Sequence, residues 1–270
     1  DVVSPKRVEQ FAATSVVESM NNVSGVTVYD DQPSIRGSSG YTYGAGSRVL
    51  TLLNGLPMLS ANRGSVSWDM LPTDNIEQIE IFKGASSVIY GSGAMGGVIN
   101  VVTADPGREP ETTLRMRMGF YDRPANRAAD WDGRSAAIAP SLHFFHSRRI
   151  RKNYDLTAQI DLIKDTGYRK DEFSDRVRVL LMNKYRVPGV EGLQLGLNLQ
   201  LSVDSSATIL AYDNYPTGAL TSEETFPITF QRLYRYSIDP YASYTSAGKN
   251  SFTIKYQGRI FNQVDRLSTG

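Results

Sequence analysis

The chain has 270 residues, 40% apolar and 21% charged, enough for one large domain or two smaller ones with a real core and too apolar for a disordered tail. Lys and Arg number 29 against 28 Asp and Glu, and a net charge of +1 gives no electrostatic ground for a nucleic-acid partner or an anionic surface. The absence of cysteine excludes a disulfide framework and thiolate metal sites, and the lack of any stretch near the roughly 20 apolar residues of a membrane-spanning helix excludes helical membrane proteins while leaving a β-barrel open.

The start at Asp1 lacks the basic and apolar regions of a signal peptide, so a targeting segment is expected to have been removed or to lie outside this chain. Mixed apolar spacing predicts a short amphipathic helix over Val8 to Val23, followed by a strand in GVTVYD that ends at Asp30, Asp31 and Pro33. Further strands read as SIRG, RVLTLLNG and IEQIEIFKG, with Gly37, Gly40, Gly44, Gly46, Gly55 and Gly64 in the loops between them. A mixed α/β unit results. At Ala104-Asp105-Pro106-Gly107 a proline and glycine interrupt a strongly apolar run, which sets the expected domains at residues 1–107 and 108–270.

The second part reads as antiparallel strands throughout. From Leu193 to Val203 every odd position is apolar, while Gln194, Gly196, Asn198, Gln200 and Ser202 fill the even ones. Tyr154 to Leu162 repeats the alternation with Asp155, Thr157, Gln159 and Asp161 on its polar face, and Leu114 to Phe120 sets Arg115 and Arg117 against Leu114, Met116 and Met118. Noisier runs at Asp175 to Val187, Phe230 to Ser246, Ser251 to Gln263 and Leu142 to Ile150 bring the expectation to about seven strands. The expected connections alternate long and short: Arg123 to Ala139, Arg151 to Lys152, Lys164 to Ser174, Pro188 to Gly192, Ser205 to Thr229 and Ala247 to Asn250. Short turns on one rim and long polar loops on the other are the pattern of an outer-membrane barrel, and they favour it over a soluble sandwich. Phe120, Tyr121, Tyr154, Tyr168, Phe173, Tyr185, Tyr212, Phe230, Tyr234 and Phe252 fall near strand ends, where rings meet a membrane interface, although β-propensity alone also puts aromatics in strands.

Gly91, Gly93 and Gly96 spell GxGxxG, but a dinucleotide site needs that loop to open a helix, whereas here the β-branched run VINVVT follows. His143 and His146 stand three positions apart, so on a strand they point to opposite faces and cannot share a metal or haem. Asp30 and Asp31 read as solvated turn residues rather than calcium ligands, and the carboxylates Asp171, Glu172, Asp175, Glu223 and Glu224 lie in or beside loops with no apolar pocket to tune them for catalysis. The expectation is a protein without enzymatic activity, metal site or cofactor.

The strings GVTV at Gly25 to Val28, SIRG at Ser34 to Gly37, RVLTLLNGLPM at Arg48 to Met58 and IEQIEIFKGASSVIYGSGAMGGVINVVT at Ile76 to Thr103 resemble, in order and spacing, the plug domain of TonB-dependent outer-membrane receptors. The resemblance covers about Val8 to Thr103. It departs from the family at Asn54, where Asp is common, and at Ala85, where proline is common, and no energy-coupling box is visible before Val8. The fold it implies is a mixed α/β plug domain followed by antiparallel transmembrane β-barrel strands, the full barrel having about 22 strands and a plugged lumen. A seven-stranded open sheet would leave bare edges in lipid, so the remaining strands are expected beyond residue 270 or on another polypeptide.

The implied function is binding of a scarce ligand at the surface of a Gram-negative cell and import into the periplasm, gated by force delivered through TonB from the inner membrane. The other reading is a surface β-protein for adhesion or partner docking. Implied partners are TonB, outer-membrane lipid and a nutrient such as a siderophore, haem, cobalamin, a glycan or a peptide, with no nucleic acid. The resemblance further implies that Arg36 and Lys83 sit at the plug and barrel interface, and that cargo meets the apical plug loops through Tyr41, Tyr43, Asn62, Arg63 and Trp68. Packing of the plug is the competing role for these side chains.

Overall fold

The computed structural model describes residues 2–3, 16–29, 32–38, 48–60, 64–72, 75–122, 137–167, 172–208 and 228–267. Contacts divide the chain into two compact units, Asp1–Asp105 and Pro106–Gly270. The first contains β1 (Val2–Val3), α1 (Val16–Asn21), β2 (Val26–Tyr29), β3 (Gln32–Ile35), β4 (Val49–Leu53), β5 (Leu56–Pro57), β6 (Ile76–Lys83), α2 (Ser87–Tyr90) and β7 (Gly97–Thr103). Five strands form a sheet in the order β1-β6-β7-β4-β5, and β2 pairs with β3 in a separate ribbon.

Parallel pairing of β4 with β7 explains why all five residues of VLTLL are buried, Thr51 with its four apolar neighbours, because a parallel strand is covered on both faces. Val49 and Leu53 join Ile79, Ile81, Ile99 and Val101 in the larger core, while Leu50 and Leu52 point the other way against Ala94 and Val98. Within the expected helix only Val16–Asn21 is described as helical, and Val16 and Met20, one turn apart, bury their side chains in the larger core. Residues 4–15 lie outside the described residues. Two tight turns show why their sequences look as they do. Asn54 and Gly55, at φ 51° and 79°, form the left-handed pair of a two-residue hairpin between β4 and β5, the connection for which Asn-Gly is the usual choice. Of SIRG, only Ser34 and Ile35 belong to a strand; Arg36 and Gly37 turn the chain at φ 52° and 68°, and the Ser38 amide donates to the Ile35 carbonyl at 2.9 Å.

The glycine-rich segment runs from β6 through α2 and a 3-10 turn at Ser92–Ala94 directly into β7. No helix opens after Gly96, so the dinucleotide reading lacks the helix N-terminus it requires. Gly97 sits at φ 141°, and a Cβ there would lie 2.5 Å from the Phe82 carbonyl oxygen and 2.7 Å from Ile35 Cδ1. Only glycine fits.

The second unit is one antiparallel sheet of β8 (Glu111–Phe120), β9 (Ile138–Ile150), β10 (Tyr154–Asp165), β11 (Phe173–Arg186), β12 (Leu193–Thr208), β13 (Thr229–Thr245), β14 (Ser251–Lys255) and β15 (Gly258–Leu267). The last expected strand, Ser251 to Gln263, is therefore two elements, both paired with β13. Pro240 explains the break. The Tyr256 amide donates to the Pro240 carbonyl at 3.0 Å, but the reciprocal bond of that pair needs an N–H that proline lacks. The register of β14 and β15 on β13 is the same on both sides of the gap. Short turns at 151–153, 187–192 and 246–250 share one rim of the sheet, while the connections 121–137, 166–172 and 209–228 leave the other.

Alternation along these strands is the reverse of a water-soluble sheet. On β12, Leu195 is 43% exposed while Gln200, Ser202 and Asp204 are buried; on β10, Ile160 and Leu162 are exposed while Asp155, Thr157, Gln159 and Asp161 are buried. The apolar face continues through Leu114, Met116, Met118, Val177, Tyr236, Ile238, Phe252 and Ile254. Such a face suits hydrocarbon, with aromatic residues at its ends: Phe120, Phe173 and Phe230 toward the long connections, Tyr154, Tyr185, Tyr244 and Phe252 toward the short turns. Tyr121 departs from that belt, its hydroxyl donating to Asp165 Oδ2 at 2.7 Å. Tyr168 and Tyr212 lie outside the described residues.

Because the Gly97 site has neither room for a Cβ nor a backbone conformation that suits one, Gly97→Ala is expected to destabilise the first unit by about 1–3 kcal/mol in urea unfolding of the whole protein. Gly93→Ala, whose Cβ would meet Leu50 Cδ1 at an ordinary 3.6 Å, is expected to stay within about 0.5 kcal/mol of the parent.

Candidate functional site

Two regions carry the polar chemistry, one in each unit. In the first, the necks of two loops are well defined. Leu59 bridges Val66, the Ser60 amide donates to the Ser65 carbonyl at 2.7 Å, and the Gly64 amide donates back to the Ser60 carbonyl at 3.0 Å. This neck carries Asn62 and Arg63, which lie outside the described residues. The ends of the other loop meet at Gly96, whose amide donates to the Arg48 carbonyl at 2.8 Å and whose missing side chain leaves room for Ser38. Tyr41 and Tyr43, carried between those ends, also lie outside the described residues, as do Asp30 and Asp31. Trp68 is described, and it is a core residue: at 6% exposure it packs with Met58, Val66 and Leu71 beneath the loop neck.

Arg36 and Lys83 come together on one turn. The Arg36 amide donates to the Gly25 carbonyl at 2.8 Å, and the Lys83 ammonium donates to the adjacent Ser24 carbonyl at 2.8 Å. Arg36 is exposed and Lys83 half-buried. An arginine at φ 52° costs about 1–2 kcal/mol relative to an ordinary backbone conformation, a strain glycine would avoid.

The second region is the buried polar face of the sheet. Asp161 stands directly opposite His143 on one neighbouring strand and Arg178 on the other. Arg178 Nε donates to Asp161 Oδ2 at 2.6 Å, Gln159 Nε2 donates to the same oxygen at 3.0 Å, and His143 Nδ1 contacts Oδ1. Asp155 is clamped in the same way: Arg149 Nε reaches Oδ1 at 2.8 Å and Arg186 Nη2 reaches Oδ2 at 2.6 Å, while Arg149 Nη2 also donates to the Pro106 carbonyl at 3.0 Å. Asp204 pairs with Arg176, accepts from Ser202 Oγ at 2.8 Å and lies 3.4 Å from Arg235 Nη1. Sequence reasoning placed Asp155, Gln159, Asp161 and Ser202 on polar faces, and it assigned no face to Asp204 or to the arginines that pair with these carboxylates. One local signal was present: in QID, SVD, SID and QVD, ending at Asp161, Asp204, Asp239 and Asp265, a Gln or Ser donates to the Asp two residues on, across an outward apolar residue.

His146 points away from this network and hydrogen-bonds through Nδ1 to Thr112 Oγ1 at 2.8 Å, so the two histidines serve opposite faces. Asp171, Glu223 and Glu224 lie outside the described residues.

The profile of the TonB-dependent Receptor Plug Domain matches residues 1–98. The chain carries a TonB-dependent receptor plug domain. Among curated relatives, the vitamin B12 transporter BtuB of Vibrio cholerae is 28% identical over 123 residues, covering 45% of this chain and 20% of that protein. The rhizobactin receptor of Rhizobium meliloti is 33% identical over 150 residues, covering 47% and 20%. Among solved structures, the ferric citrate transporter FecA in its unliganded form superposes with a TM-score of 0.75 at 16% identity over 100% of this chain and 40% of that one, and the siderophore receptor PirA of Pseudomonas aeruginosa gives 0.68 at 18% identity over 98% and 41%. The chain thus spans well under half of its relatives. The plug is followed by antiparallel strands resembling the barrel of TonB-dependent receptors.

Since Arg178 and Asp161 are both buried, Asp161→Leu strands a guanidinium without its carboxylate. The expected loss is about 3–5 kcal/mol in unfolding of the refolded full-length protein, and the additional change Arg178→Met should recover much of it.

Proposed function

We propose that this chain supplies the plug, residues 1–107, and the leading barrel strands, residues 108–270, of a receptor in the outer membrane of a Gram-negative bacterium, one that binds a scarce nutrient at the cell surface and imports it with energy delivered through TonB. The observation that carries the reading is a plug unit followed by strands whose polar residues are buried and whose apolar residues are exposed. The compact unit ending at Asp105 supports the boundary. Further barrel strands and outer-membrane lipid complete the environment, and transport requires neither covalent chemistry nor nucleic acid. The relatives import or bind vitamin B12, ferric citrate and siderophores, which points to cobalamin or an iron chelate as cargo ahead of haem, a glycan or a peptide.

Cargo meets the plug through Tyr41, Tyr43, Asn62 and Arg63 on its two pinned loops, with aromatic faces and a few polar tips suited to a bulky, partly apolar ligand. Trp68 serves the same site from below, by holding the loop neck. Arg36 and Lys83, gathered on the Ser24–Gly25 turn, form the patch through which the plug is held to the barrel.

The deciding experiment is uptake of labelled cobalamin and ferric chelates by cells carrying the full-length receptor, with and without TonB. Uptake that requires TonB is expected; uptake indifferent to TonB, or recovery of the protein in the soluble fraction, contradicts the reading. Alanine at Tyr41, Tyr43 or Arg63 is expected to weaken ligand binding on intact cells about tenfold at normal surface levels, whereas Trp68→Ala should lower surface levels themselves, because truncating a buried Trp costs about 3–5 kcal/mol. Arg36→Glu should abolish uptake while leaving surface binding intact.

A further inference from the structure

Asn54 and Gly55 are the one Asn-Gly pair in the sequence, and they form the two-residue loop between β4 and β5, with Gly55 exposed to water and Asn54 half-buried. Such a pair has a chemistry of its own. Glycine leaves its amide nitrogen unshielded, so that nitrogen can attack the side-chain carbonyl of the asparagine before it. Here both groups are engaged elsewhere. Asn54 Nδ2 donates to Thr103 Oγ1 at 3.0 Å and Asn54 Oδ1 accepts from the Thr103 amide at 3.0 Å, which ties the side-chain carboxamide to the end of β7. The Gly55 amide donates to Asn100 Oδ1 at 3.0 Å. Asn100 is itself held, because its Nδ2 donates to Glu80 Oε2 at 2.9 Å while Gln78 Nε2 donates to Glu80 Oε1 at 2.8 Å. Residues of β6 and β7 thus occupy the nucleophile and the electrophile of the loop beside them.

We infer that Asn54 is a deamidation site closed by the native fold and opened when the β4–β5 hairpin separates from β7. On opening, the Gly55 nitrogen bonds to Asn54 Cγ, the Cγ–Nδ2 bond breaks, and ammonia leaves with the proton that the Gly55 nitrogen gives up, closing a succinimide ring. Water then opens the ring. Attack at Cγ gives aspartate, and attack at the main-chain carbonyl gives isoaspartate; either route consumes one water and releases one ammonia. The two products suit the site differently. Aspartate keeps the Thr103 amide as donor, and the Thr103 hydroxyl, 3.3 Å from Oδ1, supplies a second one. Isoaspartate adds a methylene to the main chain of a two-residue loop, which sets Leu52 and Leu53 out of register with Pro57 and Leu56. The modified fraction therefore records how often this end of β4 opens during the life of the molecule.

The test incubates the full-length protein in mildly alkaline buffer, folded and after unfolding in guanidinium chloride. Peptide mass spectrometry follows replacement of the Asn54 amide by a carboxyl group, and an isoaspartyl methyltransferase labels the isoaspartate. Conversion in the unfolded protein should be at least about tenfold faster than in the folded one. Asn75, which also has a positive φ but precedes Ile76, should stay unmodified in both. In folded protein, Thr103→Val and Asn100→Leu should each raise the rate at Asn54 about threefold or more, and Thr103→Ser should leave it unchanged, all compared at matched folded fraction. Asn54→Asp should unfold at the same denaturant concentration as the parent. Equal rates in the folded and unfolded parent, or no conversion in either, overturns the inference, and that comparison stands even if a variant fails to fold. Parent-like rates in both Thr103→Val and Asn100→Leu overturn the assignment of Thr103 and Asn100 as the residues that close the site. An unfolding midpoint of Asn54→Asp well below the parent's overturns aspartate as the tolerated product.

Discussion

A strand that crosses hydrocarbon has no water to satisfy its N–H and C=O groups, so each must find a partner on a neighbouring strand, and the ladders of the second unit meet that requirement. Ladders of long register join β8 through β13, and the last neighbour of β13 keeps its register even where Pro240 removes one donor. Once the backbone is satisfied in this way, the two faces of the sheet are free to adapt to different surroundings. One face is apolar and exposed, ringed by Phe, Tyr and Met; the other is polar and buried.

Burying carboxylates is costly unless every oxygen is answered, and the polar face answers them twice over. Cross-strand arginines neutralise Asp155, Asp161 and Asp204, and a Gln or Ser two residues earlier on the same strand occupies further lone pairs of Asp161 and Asp204. Because strand periodicity is two, that earlier donor necessarily shares the face of its Asp while the residue between them faces outward. The same tripeptide therefore serves the polar network and the apolar surface together. Removing one member leaves a buried partner exposed to its full desolvation cost, which ties the geometry of neighbouring strands to one another.

Much of this was legible in the sequence wherever one local rule dominated. The leucines of β12, the two-sided apolar run of β4 and the β-branched run after Gly97 each declare their environment through spacing alone. In the glycine string, a positive φ favours glycine at Gly91, close approach of Ser38 does so at Gly96, and a positive φ together with close approach of Phe82 and Ile35 does so at Gly97, whereas Gly93 has room for a side chain. What escaped was everything set by pairing. Which arginine meets which aspartate depends on register between strands, and register is fixed by contacts the chain order does not display. The division of the final strand followed from a proline on the neighbouring strand rather than from its own residues. Trp68 looked like a loop aromatic because it follows a glycine and serine stretch, but its large apolar surface is worth more in the core below the loop neck.

The inverted alternation of the strands in the second unit is tested most directly by a cysteine scan of residues 193–203 in the full-length protein within native membranes. This chain contains no cysteine, so each introduced thiol reports alone for this part of the protein. Thiols at 195, 197, 199 and 201 should react with a lipid-soluble maleimide and resist a membrane-impermeant one, and those at 196, 198, 200 and 202 should escape the lipid-soluble reagent. Protection of the odd positions from both reagents, as for leucines buried against a second sheet, would contradict the account.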